Sequence, residues 1–222
     1  TSHRSRAPRV RTLIEPRNLS DALTAMPAIT RDSLMTLEAY ARSRKEFRSR
    51  VLEHKKHRQV FLGDHLTLVF EDELTMRYQI QEMLRIEKIF EEEGIQGELD
   101  AYNPLVPTGS NWKATMLIEF PEVAERQREL ARLRGIEDVV WVQVAGFEHV
   151  RAIADEDLER ENDEKTASVH FLRFELTEPM KAALRKGAAL AMGVNHENYT
   201  AECDPIPADV RESLLGDLIF PS

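Results

Sequence analysis

The stretch that decides the fold is VVWVQVAGFEHVRA, residues 139–152. Residues that favour β-structure flank Ala145 and Gly146 on both sides, and a glycine between two such segments is typical of an antiparallel hairpin. Residues 188–194 and 199–203 predict a second hairpin. Hairpins make consecutive strands antiparallel neighbours, so these two argue against a doubly wound parallel sheet.

The segments around these hairpins predict the remaining elements. Residues 26–220 are predicted to form a single α+β domain, with a mostly antiparallel sheet and helices packed on one face. Residues 1–25 carry five arginines and two acids without apolar periodicity, which predicts a disordered or non-native N-terminal extension. Further strands are predicted at residues 60–71, 114–120 and 166–176, and helices at residues 30–58, 74–93, 95–102, 121–134, 177–186 and 207–215.

The composition narrows the classes of function. The chain has 222 residues, a formal net charge of −9 and one cysteine, Cys203. The negative charge opposes general binding to nucleic acid, the single cysteine fits a reducing cytoplasm, and no apolar run approaches the length of a membrane helix. A Gly-rich phosphate loop, a dinucleotide fingerprint and a nucleophile elbow are all missing from the sequence. We therefore predict no cofactor and favour a non-enzyme, although enzymatic activity stays open.

A carboxylate inside an apolar stripe is the most informative feature of the helix at residues 74–93. Glu87 falls within an arc whose apolar members, at 100° per residue, are Ile80, Met83, Leu84, Ile86 and Phe90. A buried carboxylate needs a cation, a hydrogen-bond donor, a metal or a proton. Glu87 is therefore predicted to point inward, and a structural ion pair is favoured over a functional role. The arginines that could pair with it are Arg48, Arg50 and Arg173.

The helix at residues 95–102 supplies further candidate residues. Glu98 lies one turn before Tyr102, so the candidate catalytic residues are Glu87, Glu98 and Tyr102. Two facing carboxylates would resemble half of a di-iron site, but neither helix offers the histidine that such sites use, and no metal site is predicted. Glu82 and Arg85 are expected on the opposite, solvated side of their helix. The candidate binding residues are Gln81, Glu82, Arg85, Asn103 and Arg173.

A basic run extends from Arg42 to Arg58. It contains eight lysines and arginines against two glutamates, a local net charge of +6, which could bind phosphate, nucleic acid or an acidic partner. Acidic segments at residues 91–93 and 155–164 could instead neutralise this charge within the chain, and this explanation is favoured. His54 and His57 are spaced for a metal, but their basic neighbours favour a solvated helix end.

Several strings together resemble the bacterial domain-of-unknown-function family 3501, over about residues 26–218. The strings that carry the resemblance are residues 61–71, 79–87, 98–103, 114–119, 133–136 and 168–174. The family has no established activity. The resemblance implies a genomic context beside a rubrerythrin-like protein and an iron–sulfur oxidoreductase, and hence a role in peroxide-linked or iron-linked redox metabolism. The chain departs from the family pattern in residues 1–25, and His54 and His57 stand where relatives favour Lys or Arg.

Three functions follow from these observations. The first is a cytoplasmic, non-catalytic accessory protein that binds an iron–sulfur or rubrerythrin-type redox partner, because segregated charge can orient a docking surface. The second is a carboxylate-based metal-binding protein or enzyme that uses Glu87 and Glu98. The third is phosphate or nucleic-acid binding through Arg42 to Arg58, with nucleic acid disfavoured by the net charge.

Overall fold

The structure, a computed structural model, describes residues 28–154 and 166–220. The predicted N-terminal extension and the acidic segment at residues 155–164 lie outside the described residues. The helices are α1 (Leu37–Lys56), α2 (Glu73–Glu87), α3 (Glu92–Tyr102), α4 (Val123–Arg132), α5 (Glu178–Arg185) and α6 (Ala208–Leu215). The strands are β1 (Gln59–Leu62), β2 (Leu66–Glu71), β3 (Asn111–Ile118), β4 (Val140–Val144), β5 (Val150–Arg151), β6 (Ile153–Ala154), β7 (Val169–Glu175), β8 (Leu190–His196) and β9 (Tyr199–Cys203).

The α+β class is confirmed, and every strand pair among the described residues is antiparallel. The strands are divided over two sheets, with orders β1-β2-β3-β7-β6 and β5-β4-β8-β9. Both predicted hairpins are confirmed, as β4 with β5 and as β8 with β9. The predicted strand at residues 60–71 is a third hairpin, β1 with β2. Its turn requires a glycine, because Gly63 has a φ of 71° and an added Cβ would lie 2.5 Å from Tyr199 Oη.

The two sheets enclose one hydrophobic core, to which α4, α5 and α6 also contribute buried residues. They meet at both of their edges. At one edge, β5 belongs to one sheet and β6 to the other, with only Ala152 between them. At the opposite edge, Tyr199 Oη at the start of β9 donates a hydrogen bond of 2.5 Å to Leu62 O at the end of β1. The sheets therefore surround the core in the manner of a flattened barrel.

Helices α1, α2 and α3 bury separate apolar clusters beside this core. Ile80 and Leu84 of α2 pack with Ile95 and Leu99 of α3, whereas α1 contributes a smaller cluster centred on Phe47. The predicted helix at residues 74–93 is wrong at its C-terminal end, because α2 ends at Glu87 and Lys88 adopts a left-handed φ of 56°. Gly94 directly follows the predicted helix, where a glycine commonly ends a helix, but it lies inside α3. None of the helices in the described ranges is both long and apolar enough to cross a membrane.

Candidate functional site

The predicted inward orientation of Glu87 is wrong, because its side chain is exposed. The predicted arc included Ile86 and Phe90, which are 59% and 72% exposed. Since α2 ends at Glu87, helical periodicity cannot be extended to Phe90, and the apolar arc was drawn too far round the helix. The acid that α2 does bury is Glu82, which was expected on the solvated side.

Glu82 lies at the interface between α1 and α2 and accepts hydrogen bonds from three side chains. Tyr40 Oη donates to Oε1 at 2.6 Å. Arg44 donates from Nε to Oε1 and from Nη2 to Oε2, both at 2.8 Å. Arg85 donates from Nε to Oε1 at 3.4 Å and from Nη2 to Oε2 at 3.2 Å. One buried carboxylate therefore fixes two arginines side by side, and the prediction that a buried acid of this helix needs a cation applies to Glu82.

The electrostatics of this cluster follow from those bonds. The hydrogen bond from Arg44 is the main cause that lowers the pKa of Glu82 to about 2, with smaller contributions from Tyr40 and Arg85. Burial, followed by the bond to Glu82, raises the pKa of the Tyr40 hydroxyl above its usual value. Glu82 is therefore ionised, and Tyr40 is a neutral donor, at any physiological pH.

Two of the candidate binding residues clamp the backbone of residues 29–35. Gln81 is fully buried, and its Oε1 accepts a hydrogen bond of 2.6 Å from the Met35 N–H. Asn103 accepts from the Ile29 N–H at 2.9 Å and donates to Ile29 O at 3.0 Å. Both amides hold the chain before α1 against α2 and α3. The remaining binding candidate, Arg173, lies on β7 and forms an ion pair with Glu175.

The candidate catalytic residues lie around α3. Burial first, and the nearby charge of Glu87 second, raise the pKa of the half-buried Glu98. The two carboxylates therefore approach each other as like charges at the surface. Tyr102 packs against the apolar cluster of α2 and α3. In residues 28–154 and 166–220, no three His, Cys, Asp or Glu side chains converge in a geometry that could hold a metal ion.

A second charge cluster, which the sequence did not reveal, surrounds Arg58. This side chain was predicted to belong to a solvated basic end, but it is only 1% exposed. Its Nη2 donates to Asp217 Oδ2 at 2.5 Å and to Glu71 O at 3.1 Å, and its Nε donates to Phe70 O at 2.9 Å. Asp217 is separated from it by 159 positions. No local pattern predicts a pair this distant along the chain.

The histidines at this end of α1 are both paired with acids, and of the two His57 stays exposed as predicted. His54 Nε2 lies 2.5 Å from Asp72 Oδ2, and His57 Nδ1 lies 2.8 Å from Asp209 Oδ2. Burial raises the pKa of Asp72, but the charge of Arg58 and the bonds from Thr75 and His54 outweigh it and leave the pKa below its usual value. These contacts tie the end of α1 to the N-terminus of α2 and to α6.

Two further acids of this cluster are almost completely buried. Burial raises the pKa of Asp217 to about 6, although Arg58 opposes the shift. Glu71 accepts a hydrogen bond of 2.7 Å from Thr115 Oγ1 at Oε1, while its Oε2 has no hydrogen-bond partner within residues 28–154 and 166–220 and lies 4.0 Å from Lys55 Nζ. The cluster is therefore a buried network of paired charges with one incompletely satisfied carboxylate.

The exposed side of α1 carries three cations that have no acidic partner in the part of the chain that the structure describes. Arg42, Lys45 and Arg48 are exposed, and none of them forms an ion pair with the residues that the structure describes. Of the predicted neutralising segment at residues 91–93, Glu92 pairs with Arg31 and not with α1. The other predicted segment, residues 155–164, lies outside the described residues. Arg42, Lys45 and Arg48 are called the basic face below.

The chain is similar to one protein family and to at least one protein of known structure. A family model described as Protein of unknown function (DUF3501) matches residues 28–218. The chain is also similar to a crystal structure of a novel protein of unknown function from Burkholderia pseudomallei, with 58% sequence identity and a TM-score of 0.80, over 87% of this chain and 100% of that chain. No curated protein matches the chain. The family match covers most of the chain, and the chain therefore belongs to the family DUF3501.

Proposed function

We propose that this protein is a non-catalytic accessory protein of the cytoplasm that docks an acidic surface of a redox partner through its basic face. The observation that carries the proposal is the presence of three exposed cations on α1, Arg42, Lys45 and Arg48, without acidic partners among the described residues. The partner type, an iron–sulfur oxidoreductase or a rubrerythrin-like protein, is the one that the family resemblance implies.

The charge distribution supports docking to an acidic partner. The whole chain carries a net charge of −9, so exposed cations that have no acidic partner among the described residues give this face of α1 the opposite sign to the molecule as a whole. Opposite charges on two proteins steer their encounter and orient the complex, whereas the net negative charge of the whole chain repels an acidic partner. Leu52, which is partly exposed on the same helix, offers an apolar contact beside the cations.

Charge reversal of the basic face tests this proposal. We expect the triple variant Arg42→Glu, Lys45→Glu, Arg48→Glu to bind the purified iron–sulfur oxidoreductase at least ~10-fold more weakly, because each cation would be replaced by a repelling charge. Affinity would be measured by isothermal titration calorimetry. The affinity of the wild-type protein should also fall as salt rises from about 50 to about 300 mM, because exposed charges are screened.

A second triple variant, with the same change of net charge at another part of the surface, serves as the control. Arg134→Glu, Arg151→Glu, Lys186→Glu replaces three exposed cations outside α1 and should leave the affinity within about twofold. Equal weakening by both triple variants, or no association of the wild-type protein with either redox partner at low salt, would contradict the proposal. Retention on heparin that depends on the basic face, without any redox-partner binding, would favour nucleic acid instead.

A further inference from the structure

We propose that Arg44 and Arg85 form a binding site for a phosphate group on a small molecule or for free phosphate. Both arginines use Nε and Nη2 to bind Glu82, and Nη1 of each makes no hydrogen bond to the described residues. Their side chains are 36% and 38% exposed. Each guanidinium therefore has one edge held by the buried carboxylate and N–H donors left over for a ligand.

The two arginines are close enough to share one anion. Their Nη2 atoms lie 2.8 and 3.2 Å from the same oxygen, Glu82 Oε2, so the two nitrogens are no more than about 6 Å apart. Glu82 is itself fixed by the hydroxyl of the fully buried Tyr40. The carboxylate therefore orients both guanidiniums before any ligand arrives, and little side-chain entropy remains to be lost on binding.

The charge of the cluster favours an anion. Two arginines and one ionised glutamate leave a net charge of +1, and the exposed Arg48 lies one turn beyond Arg44 on α1. Tyr78, one turn before Glu82 on α2, packs its ring against Phe47 of α1 beside this cluster, with the ring centroids 5.9 Å apart. Guanidinium groups bind phosphate oxygens with paired N–H donors, and several donors that approach from two directions suit a tetrahedral anion better than a planar carboxylate.

This site goes beyond the docking function, because it requires no protein partner. The two proposals also fail separately: phosphate binding can be measured on the purified chain alone, and the basic face can be reversed without changing Arg44 or Arg85. A phosphate-binding protein that ignores both redox partners would overturn the docking proposal and support the present one.

The test is a titration with inorganic phosphate, followed by calorimetry and by NMR shifts of arginine side-chain N–H groups. We expect saturable binding to the wild-type protein, weakened at least ~10-fold in Arg44→Lys, Arg85→Lys, which keeps the charge but removes the fork of donors. The control Arg42→Lys, Arg48→Lys makes the same exchange on the exposed side of α1 and should change the affinity less than about twofold. If the double variant unfolds, the single variant Arg85→Lys replaces it in the titration. The hydrogen bonds of Arg85 to Glu82 are longer than those of Arg44, so we expect their loss to destabilise the fold less.

Three outcomes overturn the inference. The first is no saturable binding of phosphate at constant ionic strength. The second is equal weakening by both pairs of lysine variants, which would show a diffuse effect of charge. The third is acetate binding as tightly as phosphate, which would identify a carboxylate site. A second titration with adenosine monophosphate separates the two sources of the anion: tighter binding than free phosphate supports a phosphorylated molecule, and equal binding supports free phosphate.

Discussion

Replacing Arg58 with methionine is expected to lower the free energy of unfolding by about 4 kcal/mol at pH 7, because a buried ion pair that loses one partner leaves an uncompensated charge. The charge left behind is that of Asp217, whose side chain is 5% exposed. Two backbone carbonyls, of Phe70 and Glu71, would lose a donor as well. The measurement is chemical denaturation followed by circular dichroism.

The proposed cause can be separated from a simple loss of packing. Removing the charge of Asp217 as well, in Arg58→Met, Asp217→Asn, should recover part of the lost stability, because no unpaired buried charge remains. The control is Arg48→Met, which removes an exposed arginine of α1 and should cost less than about 0.5 kcal/mol. A loss below about 1 kcal/mol in Arg58→Met would contradict the structural role of the cluster.

The pH dependence gives an independent check on the same pair. The pKa of Asp217 is raised in the folded state to about 6, so the folded protein binds this proton more tightly than the unfolded chain. The contribution of Asp217 to stability therefore falls as pH rises from about 4 to about 6. Protonation removes the charge that Arg58→Met leaves unpaired. We thus expect the destabilisation by Arg58→Met to be smaller at pH 5 than at pH 7.

Replacing Glu82 with glutamine is expected to lower the free energy of unfolding by about 2 to 3 kcal/mol at neutral pH, because it removes the negative charge and one of the two acceptor oxygens that hold both arginines. The pKa of Glu82 is depressed to about 2 in the folded protein. Its stabilising contribution is therefore present above about pH 4.5 and is lost as pH falls towards 2. The difference in stability between wild type and Glu82→Gln should decrease over that range.

Glu87 offers a matched control for this substitution on the same helix. Its side chain is exposed, and its charge raises the pKa of Glu98, so Glu87→Gln should leave stability unchanged or slightly increase it. The measurement is denaturant unfolding of the two variants between pH 3 and pH 7. Equal destabilisation by both substitutions would contradict the assignment of Glu82 as the buried acid of α2.

Local patterns predicted the strands and hairpins well, because turn residues and β-forming segments act over short distances. The hairpin around Gly146 follows directly from its sequence. The turn at Gly63 was missed because residues 60–71 were treated as one strand, although Gly63 and Asp64 interrupt the β-forming residues and Gly63 adopts a left-handed φ of 71°. The contact of this turn with Tyr199, 136 positions away, could not be predicted from local preference.

The sequence predicted a buried glutamate on α2 but identified the wrong residue. The predicted buried acid, Glu87, is exposed, and the acid that α2 buries beside an arginine is Glu82, five positions earlier, which was expected in solvent. The error arose from the end of α2, where Lys88 leaves the helix and Ile89 turns towards the apolar cluster of α2 and α3. Arg58 could not have been predicted, since nothing near it in the sequence indicates that β2 and Asp217 would enclose it.

The meeting of the two sheets at their edges has a consequence for self-association. A long unpaired edge strand invites another chain to add a strand, and this is a common route to aggregation. In the part of the chain that the structure describes, the edge strands β5 and β6 have two residues each, and β1 and β9 are joined through Tyr199. Within these residues, the sheet edges thus offer few backbone groups with which an incoming strand could pair.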